Sequence, residues 1–349
     1  MKLSLCLATY RRADWIGATL DTIIPQLSNE VELVIVDGAS PDHTEAVVTP
    51  YLERHPNVRY IREAVNSGVD ADYDKCVGYA RGEYCWLVAD DDLIAPGAVE
   101  RVLKAVEDGP DLVVVDAEVR DVALRHVLEP TRLRFTGERR YQPGEGDRLL
   151  VDTGDPLSFI GCAVIRRALW LERSREPYYG CLFIHVGVLF QAPLTRHAKA
   201  IGETLVTIRL GNAMWSPRSF EIWMFKWPEL IWSFDQFSDA AKAAVVPREP
   251  WRLLRRPFLY RANGAFGRES YRKFFAERRV GPFRLVLLAA ALLPGRLANM
   301  ILTAMLALRG KGRNSGAYNL LACSPFANPL SRGLVRRLAR PEWLGKDPA

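Results

Sequence analysis

Three adjacent aspartates, Asp90, Asp91 and Asp92, directly follow an apolar run, and the next six residues contain no basic side chain. Neighbouring carboxylates at about 4 Å repel one another by about 1 kcal/mol per pair in water and by several times more in a partly buried cleft. A hard divalent cation, Mg²⁺ or Mn²⁺, would remove that repulsion, because both ions prefer oxygen ligands. The alternative is a solvated acidic loop in front of a helix that begins at Pro96.

Two further polar residues, Thr9 and Asp37, also follow apolar runs of strand length. Helix-like patterns separate these runs, which predicts an α/β fold with a mostly parallel sheet covered on both faces. Such sheets bind ligands beyond the carboxyl ends of their strands, so the three polar elements are expected to converge on one edge. The predicted strands are 3–8, 31–36, 58–61, 84–88 and 112–115, and the predicted helices are 14–27, 42–54, 69–80 and 96–107.

The second half of the chain has a different character. The alternation of strands and helices weakens after residue 120, although residues 158–165 and 205–210 are still typical of strands. Residues 220–237 are very rich in aromatic side chains. From residue 248 onward, 20 Lys and Arg stand against 5 Asp and Glu, a net +15 that leaves −9 for residues 1–247. Such an asymmetry predicts that the two parts face different partners.

We therefore predict an α/β domain over residues 1–215 and a basic, aromatic and apolar, mainly α-helical region over residues 216–349. The apolar runs 285–293 and 297–308 are both shorter than the roughly 20 residues that cross a bilayer. At about 281–308 they are predicted to form interfacial helices on an anionic membrane surface. Packing against the α/β domain, or a homodimer interface, is the alternative. Nucleic acid is not an expected partner, because binding to it would gain nothing from two apolar helices.

Five short motifs resemble, in order and spacing, glycosyltransferase family 2, a large inverting family with the Rossmann-like GT-A nucleotide-sugar-binding fold. They are Leu5-Cys-Leu-Ala-Thr9-Tyr10-Arg11-Arg12, Leu33-Val-Ile-Val-Asp37-Gly38-Ala-Ser40, Asn66-Ser-Gly68, Ala80-Arg-Gly82-Glu83-Tyr84 and Asp90-Asp-Asp92. Residues 68–92 are most similar to the abequosyltransferase-type branch of bacterial surface-polysaccharide enzymes. The resemblance covers roughly the first 110 residues.

The resemblance implies which residues bind the nucleotide sugar. Thr9 and Tyr10 would line the base and ribose pocket with Arg11 nearby, and Asp37 would accept a hydrogen bond from the base. The other implied nucleotide-sugar-binding residues are Asn66, Gly68, Asp70, Lys75, Asp90 and Arg209. For Asp37 the alternative is a turn that caps the following helix. For Arg209 it is a surface arginine at the end of a strand.

The resemblance also implies metal-assisted chemistry. Asp91, together with Asp92, would bind Mn²⁺ or Mg²⁺, which would act as a Lewis acid on the departing diphosphate. Arg209 would close over the phosphates, because arginine offers bidentate contacts and a permanent charge. Inversion needs a base for the acceptor hydroxyl, and many relatives have an aspartate where this chain has His185. Histidine suits that role by its ordinary pKa, but a structural histidine in the core and a metal ligand are the alternatives.

Taken together, the resemblance implies a metal-dependent inverting glycosyltransferase of bacterial polysaccharide assembly (O-antigen, capsule or exopolysaccharide). The donor would be a nucleotide sugar and the acceptor a polyprenyl-diphosphate-linked saccharide at the cytoplasmic face of the inner membrane. Six scattered cysteines without a CxxC pair and a first strand that begins at once favour a cytoplasmic, peripheral protein without a signal peptide. The alternatives are a polyprenyl-phosphate sugar synthase and a non-catalytic nucleotide- or nucleic-acid-binding protein.

Overall fold

The computed structural model describes residues 1–309, 314–339 and 341–344. The strands are β1 (Leu3–Thr9), β2 (Val31–Asp37), β3 (Val58–Arg62), β4 (Tyr84–Val88), β5 (Leu93–Ile94), β6 (Leu112–Arg120), β7 (Val127–Glu129), β8 (Glu138–Tyr141), β9 (Ala163–Arg166) and β10 (Ala198–Arg209). They form one sheet in the order β3-β2-β1-β4-β9-β6-β10-β5, in which β7 pairs with β6 and β8 with β10.

The α-helices among the described residues alternate with the strands in the first half of the chain and dominate the second half. They are α1 (Ile16–Ile23), α2 (Thr44–Arg54), α3 (Val69–Tyr79), α4 (Ala98–Ala105), α5 (Gly146–Thr153), α6 (Arg167–Glu172), α7 (Ile184–Phe190), α8 (Ser219–Glu221), α9 (Trp227–Trp232), α10 (Asp239–Val245), α11 (Arg255–Asn263), α12 (Arg268–Phe275), α13 (Arg284–Leu292), α14 (Gly295–Leu308), α15 (Ser315–Tyr318) and α16 (Pro329–Leu338). Two π-helical segments, Ile222–Lys226 and Asn319–Cys323, follow α8 and α15.

The four strands β3, β2, β1 and β4 are parallel neighbours, which confirms the predicted α/β class. Thr9 and Asp37 pair directly in the register of β1 and β2. Beyond β4 the direction changes, since β4 with β9, β9 with β6 and β10 with β5 are antiparallel. The carboxyl ends of β1, β2 and β4 therefore share one edge, as the sequence predicts.

The strand predicted at 158–165 is wrong in its first half. Residues 156–158 and 160–162 form two 3₁₀ turns, and β9 begins only at Ala163. Pro156 opens the first turn, and the Gly161 carbonyl oxygen accepts from the indole Nε1–H of Trp86 at 2.9 Å. Proline and glycine both weaken a strand. The strand prediction followed the apolar composition of the segment and gave too little weight to Pro156 and Gly161.

Contacts within the chain define two compact units. Unit 1 comprises residues 1–118, 131–208 and 230–245, and unit 2 comprises residues 119–130, 209–229 and 246–349. The predicted domain boundary after residue 215 stays a prediction, because a compact unit is not the same as a segment that folds by itself.

Many of the aromatic residues in the second half of the chain form the interior of unit 2. The rings of Phe220, Trp251, Phe266 and Phe275 are buried together with Leu287 of α13. Along the described ranges, no single helix combines the length and apolar composition of a membrane span. Residues 281–292 and 295–308 reach those values only as a pair, bent by 104°.

Gly82 of the Arg-Gly motif packs against the backbone of β1. Its N–H donates to Ser4 Oγ at 2.8 Å, and a Cβ built on it would lie 2.6 Å from the Ser4 nitrogen. Buried Glu32 completes the arrangement, because its Oε1 accepts from Ser4 Oγ at 2.7 Å and from the Arg81 N–H at 2.6 Å. The Arg-Gly pair before β4 is therefore explained by packing.

We expect Gly82→Ala to lower the free energy of unfolding by roughly 1–3 kcal/mol, because the methyl group would overlap backbone atoms of β1. Gly78→Ala is the matched control: it lies in α3, and a Cβ there meets nothing within 4 Å. That change should be neutral or stabilise by up to about 1 kcal/mol. Urea unfolding of both variants tests this, and equal stabilities would contradict it.

Candidate active site

The acidic triplet lies after β4, and an arginine from the end of β1 partly balances its charge. Arg12 Nε donates to Asp90 Oδ1 at 3.1 Å, and Arg12 Nη2 donates to Asp91 Oδ2 at 2.9 Å. The side chains of Arg12, Asp90 and Asp91 are only 11%, 11% and 12% exposed. This counter-charge lies 78 residues before Asp90 in the sequence, so it could not be recognised from the neighbours of the triplet.

One guanidinium and three carboxylates carry a formal charge of −2. Burial, and then the neighbouring Asp91, raise the pKa of Asp90 to about 7, although Arg12 and the Thr9 hydroxyl act in the opposite direction. Ionising Asp90 at neutral pH is therefore less favourable than ionising an ordinary aspartate, and a nearby positive charge would favour it. A hard divalent cation has the charge and the preference for oxygen that this donor set requires.

The triplet alone is not a complete metal cage. Within the described ranges, no group of three or more His, Cys, Asp or Glu side chains is arranged to hold a metal ion. Magnesium in proteins is commonly held by one or two carboxylates, with substrate phosphates and water as the other ligands. Asp91 and Asp92 fit a site of that kind.

Asp37 lies at the end of β2 with its side chain buried. Its Oδ1 accepts from the Ser40 N–H at 2.7 Å, and its Oδ2 accepts from the Tyr60 hydroxyl. A Cβ on Gly38 would lie 2.6 Å from Asp72 Oδ2, so this position has no room for a side chain. Asp37 thus closes a turn with Ser40, while α2 begins only at Thr44 and is not capped by this side chain. The contact of Asp37 with a base stays a prediction.

The loop after β1 is fastened to the loop after β2. The Arg11 N–H donates to Ser40 Oγ at 2.9 Å, and the Arg12 N–H donates to Thr44 Oγ1 at 3.0 Å. Arg11 has a left-handed backbone with φ of 59°, and it is exposed, whereas Tyr10 is half-buried. The loop thus separates the two arginines, because the side chain of Arg12 lies against the aspartates.

Asn66, Gly68 and Lys75 organise the start of α3. Asn66 Oδ1 accepts from the Gly68 N–H at 2.8 Å, and Gly68 has a φ of +88° immediately before the helix. Lys75 Nζ donates to Glu63 Oε2 at 2.8 Å and to Ser67 Oγ at 3.0 Å, and the bond to Glu63 raises the pKa of Lys75. A contact between these residues and a nucleotide sugar stays a prediction.

Asp70 and Asp74, one helical turn apart on α3, attach that helix to the segment before α7. Asp70 accepts from the N–H groups of Leu182 at 2.8 Å and Ile184 at 3.2 Å, at the start of α7. Asp74 accepts from the indole of Trp170 at 2.8 Å and from the hydroxyl of Tyr179 at 2.5 Å. Sequence reasoning missed these roles, although the i, i+4 spacing of the carboxylates was a signal for a shared face.

His185, the candidate base, is 1% exposed in α7. Its Nε2–H donates to the Leu157 carbonyl oxygen at 2.7 Å, and its Nδ1 has no hydrogen-bond partner among the described residues. Burial lowers the pKa of His185 to about 4, so the ring is neutral at pH 7. These facts favour the structural alternative for this conformation. The catalytic role stays a prediction.

Arg209 ends β10 and belongs to unit 2. Its Nη1 donates to the carbonyl oxygen of Val122, also in unit 2, at 2.7 Å. The predicted contact of Arg209 with donor phosphates stays a prediction.

Tyr73 is a further residue whose role was not predicted from the sequence. Its buried hydroxyl donates to the Val88 carbonyl oxygen at 2.9 Å and so fixes the end of β4.

Sequence comparisons show which known proteins this chain resembles. Residues 4–171 match the sequence model of the family described as glycosyl transferase family 2. The abequosyltransferase RfbV of Salmonella typhimurium is 24% identical over 200 residues, which cover 54% of this chain and 60% of RfbV. The uncharacterized glycosyltransferase YibD of Escherichia coli is 29% identical over 140 residues, which cover 39% of this chain and 40% of YibD. The chain thus matches less than two thirds of the length of these relatives.

Solved structures show the same fold at low sequence identity. The structure of S. aureus TarS 1-349 in complex with UDP has a TM-score of 0.53 and 15% identity, and the match covers all of this chain and 93% of that one. The complex of TarS 1-349 with UDP-GlcNAc has a TM-score of 0.51 and 15% identity, with coverage of 98% and 93%. The GT-A fold that the motifs implied is confirmed.

We expect His185→Gln to weaken the pH dependence of stability. An unfolded histidine binds a proton below its ordinary pKa of about 6.5, whereas buried His185 resists protonation down to about 4. Wild-type stability from this residue is therefore fully present above pH 6.5 and is lost as the pH falls from 6.5 to 4, by up to roughly 3 kcal/mol.

Glutamine retains an N–H for the Leu157 carbonyl but does not titrate. Urea unfolding of both proteins between pH 4 and pH 7 measures the difference, and parallel stability curves would contradict the low pKa of His185. The ¹⁵N shifts of the histidine ring at about pH 5 are an independent check, because a neutral and a charged imidazole differ in them.

Proposed function

We propose, on the premise that residues 4–171 form a glycosyl transferase family 2 domain, that the protein moves a sugar from a nucleotide-sugar donor to a saccharide acceptor with inversion. The observation that carries the proposal is the convergence of Thr9, Asp37 and the acidic triplet at the carboxyl edge of three parallel strands. Ligands of open α/β sheets bind at that edge.

The donor would lie over the loops after β1 and β2. Thr9, Tyr10 and Arg11 would line the base and ribose pocket, and Asp37 would use its remaining lone pairs to accept from the base. The complexes of TarS with UDP and UDP-GlcNAc support a nucleotide sugar in a fold of this kind. The further proposed contacts of the donor are Asn66, Gly68, Asp70, Lys75, Asp90 and Arg209.

Asp91 and Asp92 would hold Mn²⁺ or Mg²⁺, and the bound ion would supply Lewis-acid stabilisation of the departing diphosphate. The support is the position of three adjacent, largely buried carboxylates after β4 and the raised pKa of Asp90. Arg209 would neutralise further charge on the phosphates. A sugar that becomes oxocarbenium-like as the bond to phosphate breaks would also be stabilised by nearby carboxylates.

The acceptor would be a polyprenyl-diphosphate-linked saccharide of bacterial polysaccharide assembly. Similarity to RfbV, named an abequosyltransferase, supports the transfer of a sugar. His185 remains the candidate base, because its neutral ring and its Nδ1 without a partner could take a proton. Because His185 is only 1% exposed, contact with an acceptor would require the residues that cover its ring to move.

We also propose that α13 and α14 bind the cytoplasmic face of the inner membrane. One face of each helix packs into unit 2, through Leu287 and Ala298 for example. The opposite faces are apolar as well, and they are exposed: Leu285, Ala289 and Leu292 on α13, and Leu297, Ile301 and Leu308 on α14. Arg284, Arg296 and Arg309 are exposed beside these stripes. Apolar side chains next to arginines fit an anionic lipid surface.

Binding of the donor is tested with a thermal-shift panel of UDP, GDP, CDP and dTDP and their sugars, with and without Mn²⁺. We expect one nucleotide sugar to raise the melting temperature in the presence of Mn²⁺, since a ligand that binds only the native state stabilises it. Asp91→Asn should abolish the part of the shift that depends on Mn²⁺. Asp239→Asn, in a side chain 80% exposed on α10, is the control. No shift with any nucleotide would sink the proposal.

The membrane proposal is tested by flotation with vesicles that contain anionic lipid. The double variant Leu285→Asp and Ile301→Asp should bind at least about tenfold more weakly, because each buried leucine or isoleucine contributes about 1.5–3 kcal/mol. Val151→Asp, at a side chain 48% exposed on α5 of unit 1, should bind like wild type. Equal binding of all three proteins would contradict the proposal. A dimer by light scattering that only the double variant loses would instead identify a homodimer interface.

A further inference from the structure

We infer that Arg12 is an internal counter-cation that competes with the divalent ion for Asp91 and so keeps the metal affinity of the donor-free protein low. The inference rests on the proposed metal-dependent function. It assigns to Arg12 a role in controlling when the ion binds.

The guanidinium lies against one of the two oxygens through which Asp91 could bind an ion. Arg12 Nη2 lies 2.9 Å from Asp91 Oδ2 while Nε bonds the adjacent Asp90. A single side chain thus bridges two neighbouring carboxylates. An ion bound through Asp91 Oδ2 would meet this positive charge at close range, where two cations repel.

Arg12 is held in place by its own backbone. Its N–H donates to Thr44 Oγ1 at 3.0 Å, and that hydroxyl in turn donates to Asp42 Oδ1 at 2.6 Å. The side chain is only 11% exposed. Arg12 therefore has a fixed position beside the carboxylates. An exposed arginine on the surface would instead be replaced easily by cations from the solvent.

Competition of this kind has a definite thermodynamic consequence. Whatever free energy the ion pairs contribute in the absence of metal must be given up, in part, when the metal binds. Arg12 therefore weakens metal binding by the same factor by which the metal weakens the ion pairs. Removing the guanidinium should raise the affinity for the ion, even though it removes a contact from the fold.

A purely structural ion pair would behave differently, and the chain contains a matched example in unit 1. Arg166 Nε bonds Asp111 Oδ1 at 2.8 Å, with side chains 12% and 0% exposed. Asp111 also accepts from the N–H groups of Thr195 and Arg196, both at 2.8 Å. Removal of Arg166 leaves a buried carboxylate with two N–H partners and should create no metal site.

The experiment is a titration of Mn²⁺ into metal-stripped, nucleotide-free protein, followed by the electron paramagnetic resonance signal of free Mn²⁺. We expect Arg12→Gln to bind Mn²⁺ roughly 10- to 100-fold more tightly than wild type. Arg166→Gln should retain the wild-type affinity. Circular dichroism and melting curves check that each variant is folded.

An Arg12→Gln affinity equal to or weaker than that of wild type would overturn the inference. A Mn²⁺-dependent thermal shift by a nucleotide sugar in the same wild-type preparation would show that the proposed function survives. Absence of Mn²⁺ binding to both proteins would overturn the inference, and the additional absence of a Mn²⁺-dependent thermal shift by any nucleotide sugar would overturn the metal site as well. A gain by Arg166→Gln as large as that of Arg12→Gln would also overturn it.

Arg12→Lys keeps the measurement decisive if Arg12→Gln does not fold. Lysine retains one positive charge but lacks the planar fork that bonds two carboxylates at once. We expect its Mn²⁺ affinity to lie between those of wild type and Arg12→Gln, or above wild type when only these two proteins can be compared. An affinity at or below the wild-type value would overturn the inference.

Discussion

Mutual repulsion among the carboxylates after β4 is the constraint on which the candidate site depends. The sheet places Asp90 and Asp91 where water is largely excluded, and Arg12 returns only one positive charge to them. Burying carboxylates side by side is costly unless positive charges and hydrogen-bond donors stabilise them. The position of Arg12 depends in turn on the loop after β1, whose Arg11 and Arg12 N–H groups donate to Ser40 and Thr44.

Prediction from sequence succeeded where the signal was local. Apolar runs and their spacing gave β1, β2, β3 and β4 to within about one residue, because one strand's pattern is contained in a few consecutive side chains. The partners of polar residues were not predictable in that way. Arg12 and Asp90 are 78 residues apart, and Asp70 and Leu182 are 112 apart. Only the fold brings such pairs together.

The buried polar contacts of α3 show why motif matching alone assigns roles too readily. Asp70 and Lys75 stand at motif positions that imply contacts with a nucleotide sugar, yet Asp70 caps α7 and Lys75 bonds Glu63. Both groups therefore already contribute to the architecture around the edge where the donor would bind. His185 is similar, since its hydrogen bond to Leu157 accounts for one of its two ring nitrogens.

The threading of the chain through its two compact units bears on how the protein is made. Unit 2 takes residues 119–130 from the first half, and Val122 of that segment bonds the Tyr318 hydroxyl at 3.1 Å while Glu129 bonds Ser315. Domains usually fold in order as the ribosome releases them. Here the β6–β7 pair can form early, but its contacts with Ser315 and Tyr318 must wait for residues almost two hundred positions downstream, so one side of this pair stays uncovered during that stretch of synthesis.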